Sequence, residues 1–182
     1  PRIGGFNGGL AEFDAVYQGD DNIVTMLDEN LDAVGNLNNY YSSVFFSKPA
    51  VGKWEVRAAW KIAVKRIPAL AKGYCYGNKV LYVDKETHLS TWMEVYDSNM
   101  RLWKVAHDPQ AAMPIPGEGI HPTLGGWGNI LDLQNSHLSF YTFSDSHGRS
   151  YGFNEACKNH QGMNFDDVKR YSTTAGLAQI LR

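Results

Sequence analysis

The chain has 182 residues, 43% hydrophobic and 20% charged, with a formal net charge of −2. That is enough for a domain with its own core, and it leaves no basic field to hold nucleic acid or an anionic membrane. No run of eighteen apolar residues occurs, so no helix spans a bilayer, and an aromatic share of 13% favours strands, apolar pockets or an interface over a helical bundle.

The chain opens on Pro1 and not on Met, so a preceding piece is expected to have been removed: a leader, a longer N-terminal region, or an artificial truncation. Residues 1–20 read as a glycine-rich lead-in (Gly4, Gly5, Gly8, Gly9, Gly19) with a short strand at 12–17. Ile23, Leu27, Leu31 and Val34 fall on one helical face, which predicts a helix capped by Asp20 or Asp21 and ended near Gly35. Residues 36–39 read as a turn and 40–47 as a strand.

The clearest signal is 53–66. Trp54, Val56, Ala58, Trp60, Ile62 and Val64 alternate with Glu55, Arg57, Ala59, Lys61, Ala63 and Lys65. Period two predicts a long antiparallel strand, with the first set sharing one buried face. Strands follow at 78–84, 88–96 and 101–107, joined by polar turns at 85–87 and 97–99, an antiparallel meander. Residues 108–128 then carry Pro109, Pro114, Pro116 and Pro122 with Gly117, Gly119, Gly125, Gly126 and Gly128. This stretch reads as a long loop, and Met113, Ile115, Ile120, Leu124 and Trp127 fit a lid or partner surface. Strands are expected again at 130–133 and 138–144, a short helix at 155–159 capped by Asn154, and a final helix at 173–182. The fold class is therefore mainly β (α+β), a strongly twisted antiparallel sheet with a few helices.

No GxSxG elbow, P-loop, HExxH, dinucleotide fingerprint or EF-hand loop is present. Cys75 and Cys157 either close one disulfide, worth about 4 kcal/mol over so long a loop, or remain two thiols. His88, His107, His121, His137, His147 and His160 are scattered, and lone histidines at strand ends are more often solvated than metal-bound. Cys157 with His160, His147 with His160 near Asp145, and Asp166 with Asp167 each have an ordinary structural reading beside the chemical one. Trp54 and Trp60 read first as core, although on a curved sheet core and pocket wall are the same face.

One stretch carries a resemblance. Tyr76-Gly77-Asn78-Lys79, Leu81-Tyr82-Val83-Asp84, Lys85-Glu86-Thr87, Tyr96-Asp97 and Leu102-Trp103-Lys104-Val105 resemble the successive hairpins of DUF1329, an exported Gram-negative family of unassigned function. The strand from Trp54 to Ile62, the run Leu131-Asp132-Leu133-Gln134 and the closing Ser172-Thr173-Thr174-Ala175-Gly176-Leu177 fit as well, so the likeness covers about residues 50–182 and is poor before that. Members of this family are longer, and the matching region is their C-terminal half; here it would form one domain, 1–182.

The resemblance implies a strongly curved antiparallel sheet, an incomplete half-barrel similar to the lipoprotein carriers LolA and LolB, with a few covering helices and a long Pro/Gly loop. It implies a periplasmic or outer-membrane-associated place, no catalytic residue, no metal and no cofactor. The implied ligand is a hydrophobic, lipid-like molecule held against Trp54, Val56, Trp60, Ile62, Trp92, Trp103 and Trp127. The other reading is a structural or accessory subunit that meets an outer-membrane protein, an exporter or a second copy of itself; an enzyme comes third.

Overall fold

A computed structural model describes residues 11–30, 37–43, 46–115, 117, 119–125, 127–142 and 173–180. The chain forms two compact units, Pro1–Ser150 and Tyr151–Arg182. Among the described residues the first holds nine strands: β1 Phe13–Glu29, β2 Gly52–Arg66, β3 Tyr76–Asp84, β4 Ser90–Asp97, β5 Leu102–His107, β6 Gln110–Ile115, β7 Gly119–Leu124, β8 Trp127–Asp132 and β9 His137–Thr142. Its short helix α1 is Leu37–Tyr40, and the second unit contributes helix α2, Thr174–Ile180, inside the stretch expected to be helical. Seven strands form one antiparallel sheet in the order β1-β2-β3-β4-β5-β8-β9, and β6 pairs with β7 alone. The sheet is mostly meander and stays open, with β1 and β9 at its two edges.

Three hairpin turns share one device. Asp84 accepts the backbone N–H groups of Glu86 and Thr87 (2.8 and 2.9 Å), and Asp97 accepts those of Asn99 and Arg101 (both 2.9 Å). Asp132 accepts those of Gln134 and Asn135 (3.1 and 3.0 Å). Each turn also holds a residue at positive φ, namely His88, Met100 and Ser136. A carboxylate ending the strand thus satisfies the turn amides that no ladder can reach. This chemistry sets the register of the meander, and the strands lie within a few residues of where alternation places them.

Three expectations give way. Ile23 to Glu29 is strand, not helix: β1 runs 17 residues and pairs with β2 from Phe13↔Arg66 to Glu29↔Gly52. The helical spacing of its apolar positions is overridden by an available partner edge and by the β-branched run Ile23-Val24-Thr25. The described part of 40–47 is not the expected strand either; Tyr40 ends α1, and Tyr41 makes a single bridge to Ser47. The Pro/Gly stretch is a hairpin rather than a loop, with Pro114 opposite Ile120 and Pro122 opposite Ala112. In a two-stranded ribbon every strand is an edge, where a missing N–H is tolerated.

The expected single buried face of β2 also fails. Val64 lies in a core with Tyr76, Leu81, Met93, Val95, Ala106 and Ile130, and Ile62 packs against it. Val56, two residues from Trp54, is 69% exposed. The reason is overhang: β3 covers β2 only from Ala59 to Val64, and beyond that β2 has β1 alone, so Val56 sits beside Val24, which is exposed as well. The opposite parity carries a second cluster, Ala59, Val80 and Tyr82, with Ile23, Trp92 and Tyr96 against it.

Candidate functional site on the concave face

Curvature is visible in side chains that meet across non-neighbouring strands. The Trp92 indole N–H, on β4, donates to the Val24 carbonyl of β1 at 2.9 Å. Trp54 of β2 stacks on His107 of β5, with ring centroids 5.3 Å apart. Trp92 stacks on the same imidazole at 4.1 Å. The side that carries Trp92, Tyr82 and His107 is therefore concave. Near its rim Met26, Tyr40, Tyr41 and Val51 form a small core on which Trp54 and Leu138 pack. Residues from β1, β2 and β9 gather there around the aromatic end of α1.

His107 is 3% exposed, and its Nε2 has no hydrogen-bond partner among the described residues. Burial between two indoles pushes its pKa down to about 3, so the imidazole is neutral at any physiological pH. An almost closed space beside it is bordered by Phe46, Ser47, Trp54, Trp92, Asn129 and Leu131. On the other side of Trp92 lies an open cleft of about 260 Å³ lined by Asp21, Ile23, Val24, Tyr82, Glu94 and Val105. A third space, about 440 Å³, is bordered by Leu27, Arg57, Glu86, Gln110 and Ala111, with Ile120 and Pro122 from the β6–β7 hairpin. Gln110 is 1% exposed and its side-chain amide nitrogen is unpartnered among the described residues.

The charges around these spaces are mostly spoken for. Burial alone would raise the Asp84 carboxyl, but hydrogen bonds from Arg57 and from the Thr87 and Glu86 amides outweigh it and hold it at about 2. Arg57 also meets Glu86, Lys104 meets Asp132, and Arg101 meets Asp97 at 2.9 Å. Tyr82 and Tyr96 donate to the two oxygens of Glu94 at 3.2 and 2.7 Å. Burial, then the hydrogen bond to Glu94, pushes the Tyr96 phenol up to about 12. Asp108 is different: burial pushes its carboxyl up to about 6, and its Oδ1 has no partner among the described residues.

Of the residues named from sequence, Trp54 and Trp92 come together on this face. Ile62 and Trp103 pack against the Val64–Leu81–Met93 core instead, Trp103 also donating to Asp132 at 3.1 Å. Trp60 stacks on His88 at 5.6 Å, and Val56 is exposed. Trp127 lies in β8 opposite Thr142, and its side chain is outside the described part. Cys75 is exposed; Cys157, His147, His160, Asp145, Asp166, Asp167 and the expected helix at 155–159 lie outside the described residues. His107 was legible only as a lone histidine at a strand end. Its partners come from β2 and β4, and strand parity alone cannot announce a contact that depends on curvature.

Residues 2–175 match the family described as "Protein of unknown function (DUF1329)". The chain belongs to the DUF1329 family. The match includes nearly all of the first fifty residues, which the motif likeness does not cover. No curated protein matches this DUF1329 chain. Among solved structures it is similar to a proposed outer membrane lipoprotein-sorting protein domain from Vibrio parahaemolyticus, at 12% identity and a TM-score of 0.40. That alignment covers 75% of this DUF1329 chain and 45% of the Vibrio chain, so the chain spans less than half of that neighbour's length.

Proposed function

We propose that this protein is a non-catalytic component of the Gram-negative cell envelope that holds an apolar or amphiphilic ligand against the concave face of its open sheet. The observation that supports this most is the Trp54–His107–Trp92 stack on the inner side, bordered by a cleft on the far side of Trp92. Aromatic faces supply large apolar area, and a few inward polar atoms without protein partners fix orientation, which is how small-molecule sites are usually built. His107 fits this role better than acid–base chemistry, because a histidine held at about 3 does not exchange protons near neutrality. The envelope location rests on the family resemblance of the hairpins.

The test uses protein stripped of bound molecules by organic extraction. Titration with a fluorescent fatty-acid analogue should saturate at one site, and Trp92→Ala should weaken that binding at least about ten-fold, the scale of one lost aromatic contact. Unchanged binding in a folded variant would remove the concave face as the site. An accessory-subunit reading has its own observation, the exposed Val24 and Val56 on the β1–β2 overhang, with Val16 and Tyr17 exposed further along β1. Native mass spectrometry separates the two: a lipid-sized adduct favours the carrier, and a stable oligomer without adduct favours the subunit.

A further inference from the structure

The three buried carboxylates that end β3, β4 and β8 each have a basic partner, and the half-buried Glu94 of β4 does not. Asp84 is matched by Arg57, Asp97 by Arg101 and Asp132 by Lys104. Glu94 points into the cleft beside Trp92 between the cross-strand neighbours Val80 and Val105. Its oxygens receive only two neutral phenols, Tyr82 and Tyr96, and among the described residues no Lys or Arg pairs with it. A second carboxylate, Asp21, lines the same cleft and, among the described residues, is bonded only by the Asn22 amide. The remaining walls are the Trp92 indole, the Tyr82 ring and aliphatic Ile23, Val24 and Val105. Tyr82 already attracts a cation: the Lys61 ammonium lies 5.7 Å from its ring centroid and makes no ion pair with Glu94.

An aromatic-walled space with two carboxylates that, among the described residues, form no ion pair favours a cationic head even with the Lys61 ammonium over the Tyr82 ring. An anionic head would meet two like charges in a low-dielectric setting. A neutral head would leave Glu94 uncompensated. An ammonium head gains from both carboxylates and from the ring faces, the combination used to recognise quaternary amines. Resting on the reading that the concave face binds amphiphiles, we propose that the Trp92–Tyr82–Glu94 cleft is the headgroup site and that it selects a ligand bearing a cationic nitrogen. At about 260 Å³ the cleft falls slightly below the usual range for a whole small-molecule ligand, so it fits a head with its chain lying outside.

The test compares three ten-carbon probes on the intact protein by calorimetry: decyltrimethylammonium, decanol and decanoate. The cation should bind at least about ten-fold more tightly than decanoate, the order of effect of one desolvated cation–π contact. Glu94→Gln should weaken binding of the cation at least about ten-fold and so erase that preference. Should Glu94→Gln not fold, wild-type protein still answers: tetramethylammonium should displace the cationic probe and not decanol. Binding to phosphatidylcholine vesicles but not phosphatidylglycerol vesicles assigns the ammonium to a lipid headgroup, and binding of the soluble probe alone assigns it to a free amphiphile; both support the site. Decanoate binding as tightly as the cation, or a preference that survives Glu94→Gln, overturns it. Decanol binding without cation preference sinks this inference and leaves the carrier reading standing; failure of all three probes sinks both.

Discussion

Asp108 follows His107 at the end of β5, and its backbone N–H donates to the Thr91 carbonyl at 2.8 Å while its carboxyl Oδ1 is buried without a described partner. Replacing it by Asn keeps the shape and removes the charge. The carboxyl is pushed from 3.8 to about 6 by burial, and at about 1.4 kcal/mol per pH unit the ionised form costs the fold about 3 kcal/mol at neutrality. The sign is that of a raised acid: the native state holds the proton more tightly, so stability is greatest below 3.8 and is lost as pH rises through about 6. The Asn amide brings a buried donor of its own, offsetting about 1 kcal/mol. Asp108→Asn should therefore be more stable than wild type by about 2 kcal/mol at pH 7 and less stable by about 0.5 kcal/mol at pH 4. Urea unfolding of both proteins at pH 4, 5, 6 and 7 reads this swing directly. Neighbouring His107 titrates in the opposite sense, but it is present in both proteins and cancels in the difference. A difference constant across that range would refute the buried-charge argument.

Arg57→Ala should destabilise by about 3–5 kcal/mol, because it strands the fully buried Asp84 carboxylate, and the loss should shrink in acid below about pH 4 as that carboxylate takes up a proton. Thermal melts at pH 7 and pH 3 check it. Gly77 sits at a break in the β3–β4 register, where an added Cβ would run into the Asp97 backbone carbonyl, so Gly77→Ala should cost about 1–3 kcal/mol in denaturant midpoint measurements. Trp92→Phe keeps a ring against His107 but deletes the donor to Val24; it should cost about 1 kcal/mol and speed amide exchange around residues 22–26.

The sheet was legible wherever two signals agreed. In β3, β4 and β5 alternation was bounded by Asp-led turns, and the Asp84, Asp97 and Asp132 carboxylates now account for why those turns are where they are. Failure came where a single signal stood alone. Ile23, Leu27, Leu31 and Val34 have helical spacing, yet Ile23 and Leu27 belong to a strand stabilised by the β2 edge, which local spacing does not encode. Pro114 and Pro122 read as breakers because nothing in sequence tells a central strand from a two-stranded ribbon. The site was half legible. Tryptophans at 54 and 92 could be named as wall, but their meeting at His107 depends on how far the sheet curls, and Glu94 stands out only against the ion pairs its fellow carboxylates make.

β1 is a 17-residue strand at the edge of the sheet, and its exposed charges Asp14, Asp20, Asp21 and Asp28 are all acidic, Asp20 being paired with Lys85 and Glu29 being buried against Tyr40. Among the described residues no strand pairs with its outer side; an open ladder of amides and carbonyls is a template for runaway strand addition, and proteins guard such ladders with charge. Here the guard has one sign. Two copies approaching edge to edge would bring acid against acid, so the strand repels its own image while staying open to a strand of opposite charge. The protection is only as long-ranged as the electrolyte permits, about 8 Å at physiological ionic strength and about 3 Å in molar salt. Concentrated salt, or acid that neutralises these carboxylates, would strip the strand of its guard and leave Val16, Tyr17 and Val24 to nucleate association.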